Sequence, residues 1–182
     1  VPVIGRRLLP QIGWIGATGV VLALSGCNGG QQAVALPSST GSRTSLTSSS
    51  EADKKAAESA YRNFVVMLDR AAALPDDSRE QQLAAVMVDP QLSRVLKRVT
   101  EMKKQHLVTY GYVISHVTSV ELTEAGATVL DCQDSRNAGV INTVTHKKVN
   151  RGIKDDNTKA MLIKASDGKW RVTKSISLEK GC

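Results

Sequence analysis

Aromatic side chains are almost missing from this chain of 182 residues, which has one Phe, two Trp and three Tyr. A core must therefore be built from Val, Leu, Ile, Ala and Met, and an apolar fraction of 41% allows one. The same scarcity argues against a nucleic-acid interface. The basic stretch Lys147, Lys148, Arg151 and Lys154 has no aromatics interleaved with it on which bases could stack. Histidine is as sparse: His106, His116 and His146 have no metal-ligand spacing with each other or with the cysteines, so no metal and no other cofactor is expected. No serine lies in a Gly-x-Ser-x-Gly elbow, and no glycine-rich phosphate loop occurs. No catalytic set is assigned on this basis. Acidic residues are outnumbered, 17 against 24 basic, for a net charge of +7. An excess of this size is within what solubility favours, and it leaves room for an anionic lipid or wall-polymer partner.

What is present begins with an export pattern. Arg6 and Arg7 precede a stretch without charge from Leu8 to Gly26, strongest at Val20-Val21-Leu22-Ala23-Leu24. Leu24-Ser25-Gly26-Cys27 then resembles a lipobox. That resemblance implies a signal peptide over 1–26, cleavage before Cys27 and diacylglycerol on its sulfur. Two acyl chains, at about 0.8 kcal/mol per buried methylene, hold a protein that one chain would release. The expected location is the extracytoplasmic face of the cell membrane, with the membrane as the first partner. An uncleaved transmembrane helix is the rival reading and is long enough. Against it stand Pro10, Gly13, Gly16 and Gly19, the lack of a basic cluster after the apolar run, and the position of Cys27. Residues 27–50 are poor in apolar period and rich in Ser, Thr and Gly, and so read as a tether with a mean reach of about 25 Å.

Residues 51–182 carry the periodicity of a folded domain. Ser50 and Asp53 suggest a capping box, followed by Ala57, Tyr61, Phe64, Val65, Leu68 and Ala72 on one helical face. A shorter helix after Ser78 turns Leu83, Val86 and Met87 inward. Asp89-Pro90 opens a third that buries Leu92, Val95, Leu96, Val99 and Met102, with Arg94, Lys97, Arg98, Lys103 and Lys104 on its other face. The period then changes to two. Val108, Tyr110, Tyr112, Ile114 and Val120 share a phase, with a bulge at Gly111. Thr128, Leu130 and Cys132 follow on a second strand, then single strands over 140–149 and 160–165. A hairpin turn at Ser166-Asp167-Gly168-Lys169 leads to a last strand with Trp170, Val172, Ile176 and Leu178. Helices followed by strands predict an α+β domain with an antiparallel sheet.

Ala60-Tyr61-Arg62 in the first helix, two further helices and Gly168-Lys169-Trp170-Arg171-Val172 before the last strand resemble the nuclear-transport-factor-two-like fold. More specifically, they look like the small exported lipoproteins of actinobacteria that carry such a domain. The resemblance covers about 51–182. It implies N-terminal helices packed on a curved antiparallel sheet, in a cone with a pocket between them. It does not imply one activity. With Cys27 assigned to lipid, Cys132 and Cys182 are an even pair in an oxidising compartment, and a disulfide between them is expected. Relatives that are enzymes place an Asp or His inside the cone, so Asp131, Asp134, His116 and Asp69 are the candidates. The expected pocket lining is His116, Tyr110, Tyr112 and Asp131. The reading is a non-catalytic binding or assembly module of the cell envelope, with an envelope protein or anionic polymer as partner and no nucleic acid. The alternative is a pocket protein that binds or isomerises a small apolar ligand.

Overall fold

The structure is a computed structural model that describes residues 42–182. The signal segment, Leu24, Ser25, Gly26 and Cys27 lie outside the described residues. The first helix, α1, spans Ser42–Arg70. It starts ahead of Glu51, so residues 42–50 are helical and do not belong to a coiled tether. Ser50 is an interior residue and caps nothing. Serine and threonine are poor helix formers but not breakers, and no Gly or Pro follows Gly41 until Pro75. The apolar positions of α1 fall at helical spacing, and Ala57, Tyr61, Phe64 and Val65 are buried.

Two shorter helices follow, α2 over Arg79–Ala84 and α3 over Gln91–Lys104. Buried Arg79 ties the end of α1 to α2, its Nε donating to the carbonyl of Ala71 at 3.0 Å and its other nitrogens to Asp76 and the carbonyl of Leu74. These carbonyls lie just past a helix C-terminus, where a cation is favoured. Pro90, expected as the first helical residue of α3, is its N-cap, and Asp89 just before it accepts from the Ser93 backbone N–H at 3.0 Å and from its hydroxyl at 2.6 Å. Val95, Val99 and Met102 of α3 are buried, while Leu92 and Leu96 pack partly buried against the core.

Among the described residues, seven strands make two antiparallel sheets. The larger has the order β2 (Val117–Thr123), β3 (Gly126–Gln133), β6 (Asp156–Lys164), β7 (Trp170–Gly181). The smaller has the order β1 (Leu107–Tyr110), β4 (Gly139–Asn142), β5 (Lys148–Arg151). The α+β class stands, and the sheets do not close into a barrel. The large sheet lays Ala127, Val129, Ala160, Leu162, Trp170 and Val172 against α1 and α2, forming one core with Phe64, Leu83 and Met87. The outer edge of β7 is covered by the chain after α2: the Val88 N–H donates to the Val172 carbonyl at 3.0 Å, and the Val172 N–H to the Val86 carbonyl at 3.1 Å.

Three strand readings are corrected. The strand expected through 108–120 is two strands in different sheets, parted by an irregular run at 111–116 with Gly111 at φ 71°. On β3 the buried residues are Ala127, Val129 and Asp131, so the inward phase is opposite to that of Thr128, Leu130 and Cys132. The stretch 140–149 is a hairpin of β4 and β5, turned by Asn142, whose Oδ1 accepts from the N–H groups of Val144 and Thr145. The 166–169 hairpin holds, with Gly168 at φ 76°. Cys132 and Cys182 form a disulfide, joining β3 to the residue after β7.

Candidate ligand-binding cleft

Two recesses meet between the helices and the sheets. One, of about 350 Å³, lies between α1 and α3 and reaches Thr109 of β1 and Ser175 of β7. Its apolar wall is Leu68, Ala72, Val95, Val99 and Met102, and Arg94 and Arg98 of α3 stand on it. The second, of about 250 Å³, continues along the small sheet to Tyr110, Val113 and Arg151. The two share Asp69, Arg98 and Thr109, so Asp69 sits at the junction of one longer cleft. The larger recess lies at the low end of small-molecule sites.

Asp69 is held from two directions. Its backbone carbonyl accepts from the Thr109 hydroxyl at 2.8 Å, and its Oδ2 accepts from the Val113 N–H at 3.0 Å. These bonds pin the end of α1 to β1 and to the run after it. Burial pushes the Asp69 carboxyl above the usual carboxylate value, against a smaller downward pull from the Val113 N–H. Gln91 closes the far end: its Oε1 accepts from the Ser175 N–H at 3.1 Å and so ties α3 to β7. Tyr110 borders the second recess, its hydroxyl donating to the Asn150 carbonyl at 3.1 Å while the Lys148 ammonium lies 4.5 Å from its ring centre.

The four residues expected to line one pocket are not together. Asp131 is 1% exposed and lies in the closed interior, apart from the cleft. Its Oδ2 accepts from the Tyr61 hydroxyl at 2.8 Å, and that hydroxyl accepts from the Gln133 amide at 2.8 Å. Oδ1 of Asp131 has no partner among the described residues. Burial first, then the neighbouring Asp131, hold the Tyr61 hydroxyl far above the usual tyrosine value. His116 and Tyr112 are exposed, Tyr112 by 62%. The reason is Gly111: its left-handed backbone shifts the alternation by one residue, so Val113 and Val117 turn inward while Tyr112 and Ile114 turn out. Of the four, only Tyr110 reaches the cleft. Asp134 is committed to Arg136, whose guanidinium holds the carboxyl down at about 2. Of the acid–base candidates, Asp69 alone faces the cleft.

The arginines were legible as the basic face of a helix, but nothing in that pattern said that Arg94 and Arg98 border a recess. No cluster of three or more metal-binding side chains occurs among the described residues. No described helix is long and apolar enough to cross a membrane.

No protein-family model matches this chain, and no curated protein does. Among solved structures it is similar to the intermembrane space region of the chloroplast protein ARC6, with a TM-score of 0.51 and 20% identity over 68% of this chain and 97% of that one. At that identity the likeness carries the fold alone.

Proposed function

We propose that the chain is an exported lipoprotein, held through Cys27 at the extracytoplasmic face of the membrane, and that its domain is a binding module of the cell envelope of the nuclear-transport-factor-two-like kind. The observation that carries the binding reading is the division between interior and cleft. The interior is filled by Tyr61, Phe64, Leu83, Met87, Val129, Leu162 and Val172, and Asp131, the one buried carboxylate among the described residues, is engaged by Tyr61. The open cleft instead offers an apolar wall beside Arg94 and Arg98, with Asp69 as its only carboxylate. That arrangement suits holding an anionic or amphiphilic group more than proton transfer between paired groups. The half-buried Asp69, with its raised carboxyl, favours a second reading in which the cleft acts on a small apolar ligand.

Two measurements test this. An alkyne-tagged fatty acid fed to a bacterial host exporting the full chain is expected to label it, and Cys27→Ser to abolish the label. An unlabelled wild-type chain overturns the anchor. Native mass spectrometry of protein drawn from the host envelope is expected to show a bound species that Val99→Trp, which fills the cleft, displaces. A bound species indifferent to Val99→Trp and lost in Asp131→Asn overturns the assignment of the cleft. Turnover of such a species, lost in Asp69→Asn, replaces the binding reading by the catalytic one.

A further inference from the structure

The β4–β5 hairpin and the loop after it lend Asn150, Arg151 and Gly152 to the cleft, and beyond these they carry an outward surface. From Arg136 to Lys154 the chain has no Asp or Glu, while Lys147, Lys148, Arg151 and Lys154 all fall in its second half. Every residue of β5 is exposed, and β5 is an edge of the small sheet. Val149 and Ile153 alternate with these cations and Val144 precedes them, all three in the open: Val144 at 65%, Val149 at 58% and Ile153 at 60% exposure. The hairpin is not loose. The Thr143 N–H donates to the His106 carbonyl at 2.8 Å, and the Asn142 amide to the Gln105 carbonyl at 3.4 Å, which seats the turn against the end of α3. Val140 N–H to Asn150 Oδ1, at 2.8 Å, fixes the strand pair.

Lysines on an edge strand serve to keep other strands away, but that role does not call for exposed Val and Ile beside them. Lys154 has Asp155 at 3.8 Å, an exposed and loose pair, and Lys148 lies over Tyr110, yet exposed apolar side chains beside an excess of cations are what an anionic bilayer surface takes: the cations meet the headgroups and the short aliphatic groups enter the boundary with the acyl chains. We propose that residues 143–154 form a second contact surface that lies against an anionic phospholipid bilayer, orienting the anchored domain. This rests on the lipoprotein reading above.

The test is hydrogen–deuterium exchange on the lipidated protein in vesicles of phosphatidylcholine alone or with phosphatidylglycerol. Each basic side chain near an anionic surface contributes about fivefold in partitioning. Backbone amides of 143–154 are therefore expected to exchange at least about fivefold more slowly on the anionic vesicles. The effect should vanish at high salt and in Lys147→Glu/Lys154→Glu, and should weaken in Val144→Ser/Val149→Ser. Slow exchange in β3 and β6 reports that each variant is folded, and the wild-type comparison of the two vesicles stands without them. Equal exchange on both vesicles overturns the surface. So does protection given equally by a soluble polyanion, which assigns a polymer, or protection that rises with protein density on neutral vesicles, which assigns a second copy. Lipid on Cys27 is read from the intact mass of the same sample, so failure of the anchor and failure of the surface are seen separately.

Discussion

Tyr61, Asp131 and Gln133 form a polar knot inside an apolar layer, and the stability of such a knot depends on its completeness. Tyr61→Phe leaves Asp131 Oδ2 and the Gln133 amide without their partner, an expected cost of about 1–3 kcal/mol, readable by urea denaturation. Tyr61→Phe/Asp131→Leu is expected to cost less than the sum of the two single changes, because it removes both ends of the bond at once; strict additivity would mean that the bond does not couple them. Asp69 makes a prediction of opposite kind. Its folded carboxyl titrates above its unfolded value, so the fold is favoured while the group is protonated. That contribution is complete below the ordinary carboxylate value and is lost as pH rises through the folded one. Asp69→Asn keeps an acceptor for the Val113 N–H, and should flatten this segment of the stability–pH curve.

At the scale of elements, α1, α2, α3 and the 166–169 hairpin were legible because their signals are local: an apolar stripe, an Asp-Pro start, a Gly in a turn. The small sheet was not. Its strands are four residues each, too short for a period of two to distinguish, and the alternation breaks at Gly111. Asp131 was legible as a residue of interest but was read into the pocket by analogy with relatives that place an acid there, whereas it shares the inward phase of Ala127 and Val129 and is sealed in the core. Arg94 and Arg98 were visible as cations, yet a cation beside a recess and a cation in solvent look alike in sequence. The glycines divide by what surrounds them. A Cβ at Gly111 would lie 1.9 Å from the Asn137 carbonyl oxygen, and one at Gly126 2.1 Å from that of Leu162, while at Gly168 nothing lies within 4 Å. Gly168→Ala should therefore cost only the strain of its positive φ, about 1–2 kcal/mol. Gly126→Ala should cost more, since backbone must move as well. Thermal melts of the two variants give the comparison, and equal shifts would refute it.

For the molecule as a whole, the disulfide and the two-sheet plan set how it comes apart. Closing a loop with a sequence separation of 50 is expected to contribute about 4 kcal/mol through the unfolded chain, so Cys132→Ser/Cys182→Ser should lower the free energy of unfolding by up to that amount. The expectation of this bond came from the two cysteines left over once Cys27 is set aside for lipid, not from any feature of the strands. The sheets differ in how deeply they are set. The large one supplies most of the strand residues in the core, whereas the small one buries only Val140 among its strand residues. Amides of β4 and β5 are expected to exchange faster than those of β3 and β6, by opening locally without global unfolding; a single common rate would contradict it.

The run at 111–116 that separates the sheets has one more consequence, for the history of the sequence. The exposed cations and aliphatic side chains of the β4–β5 hairpin contribute little to the core on α1, so replacing them should leave the domain's survival in the cell untouched. The outward face is thus free to drift, and to acquire a new preference for what it meets, under a selection that never has to weigh recognition against folding.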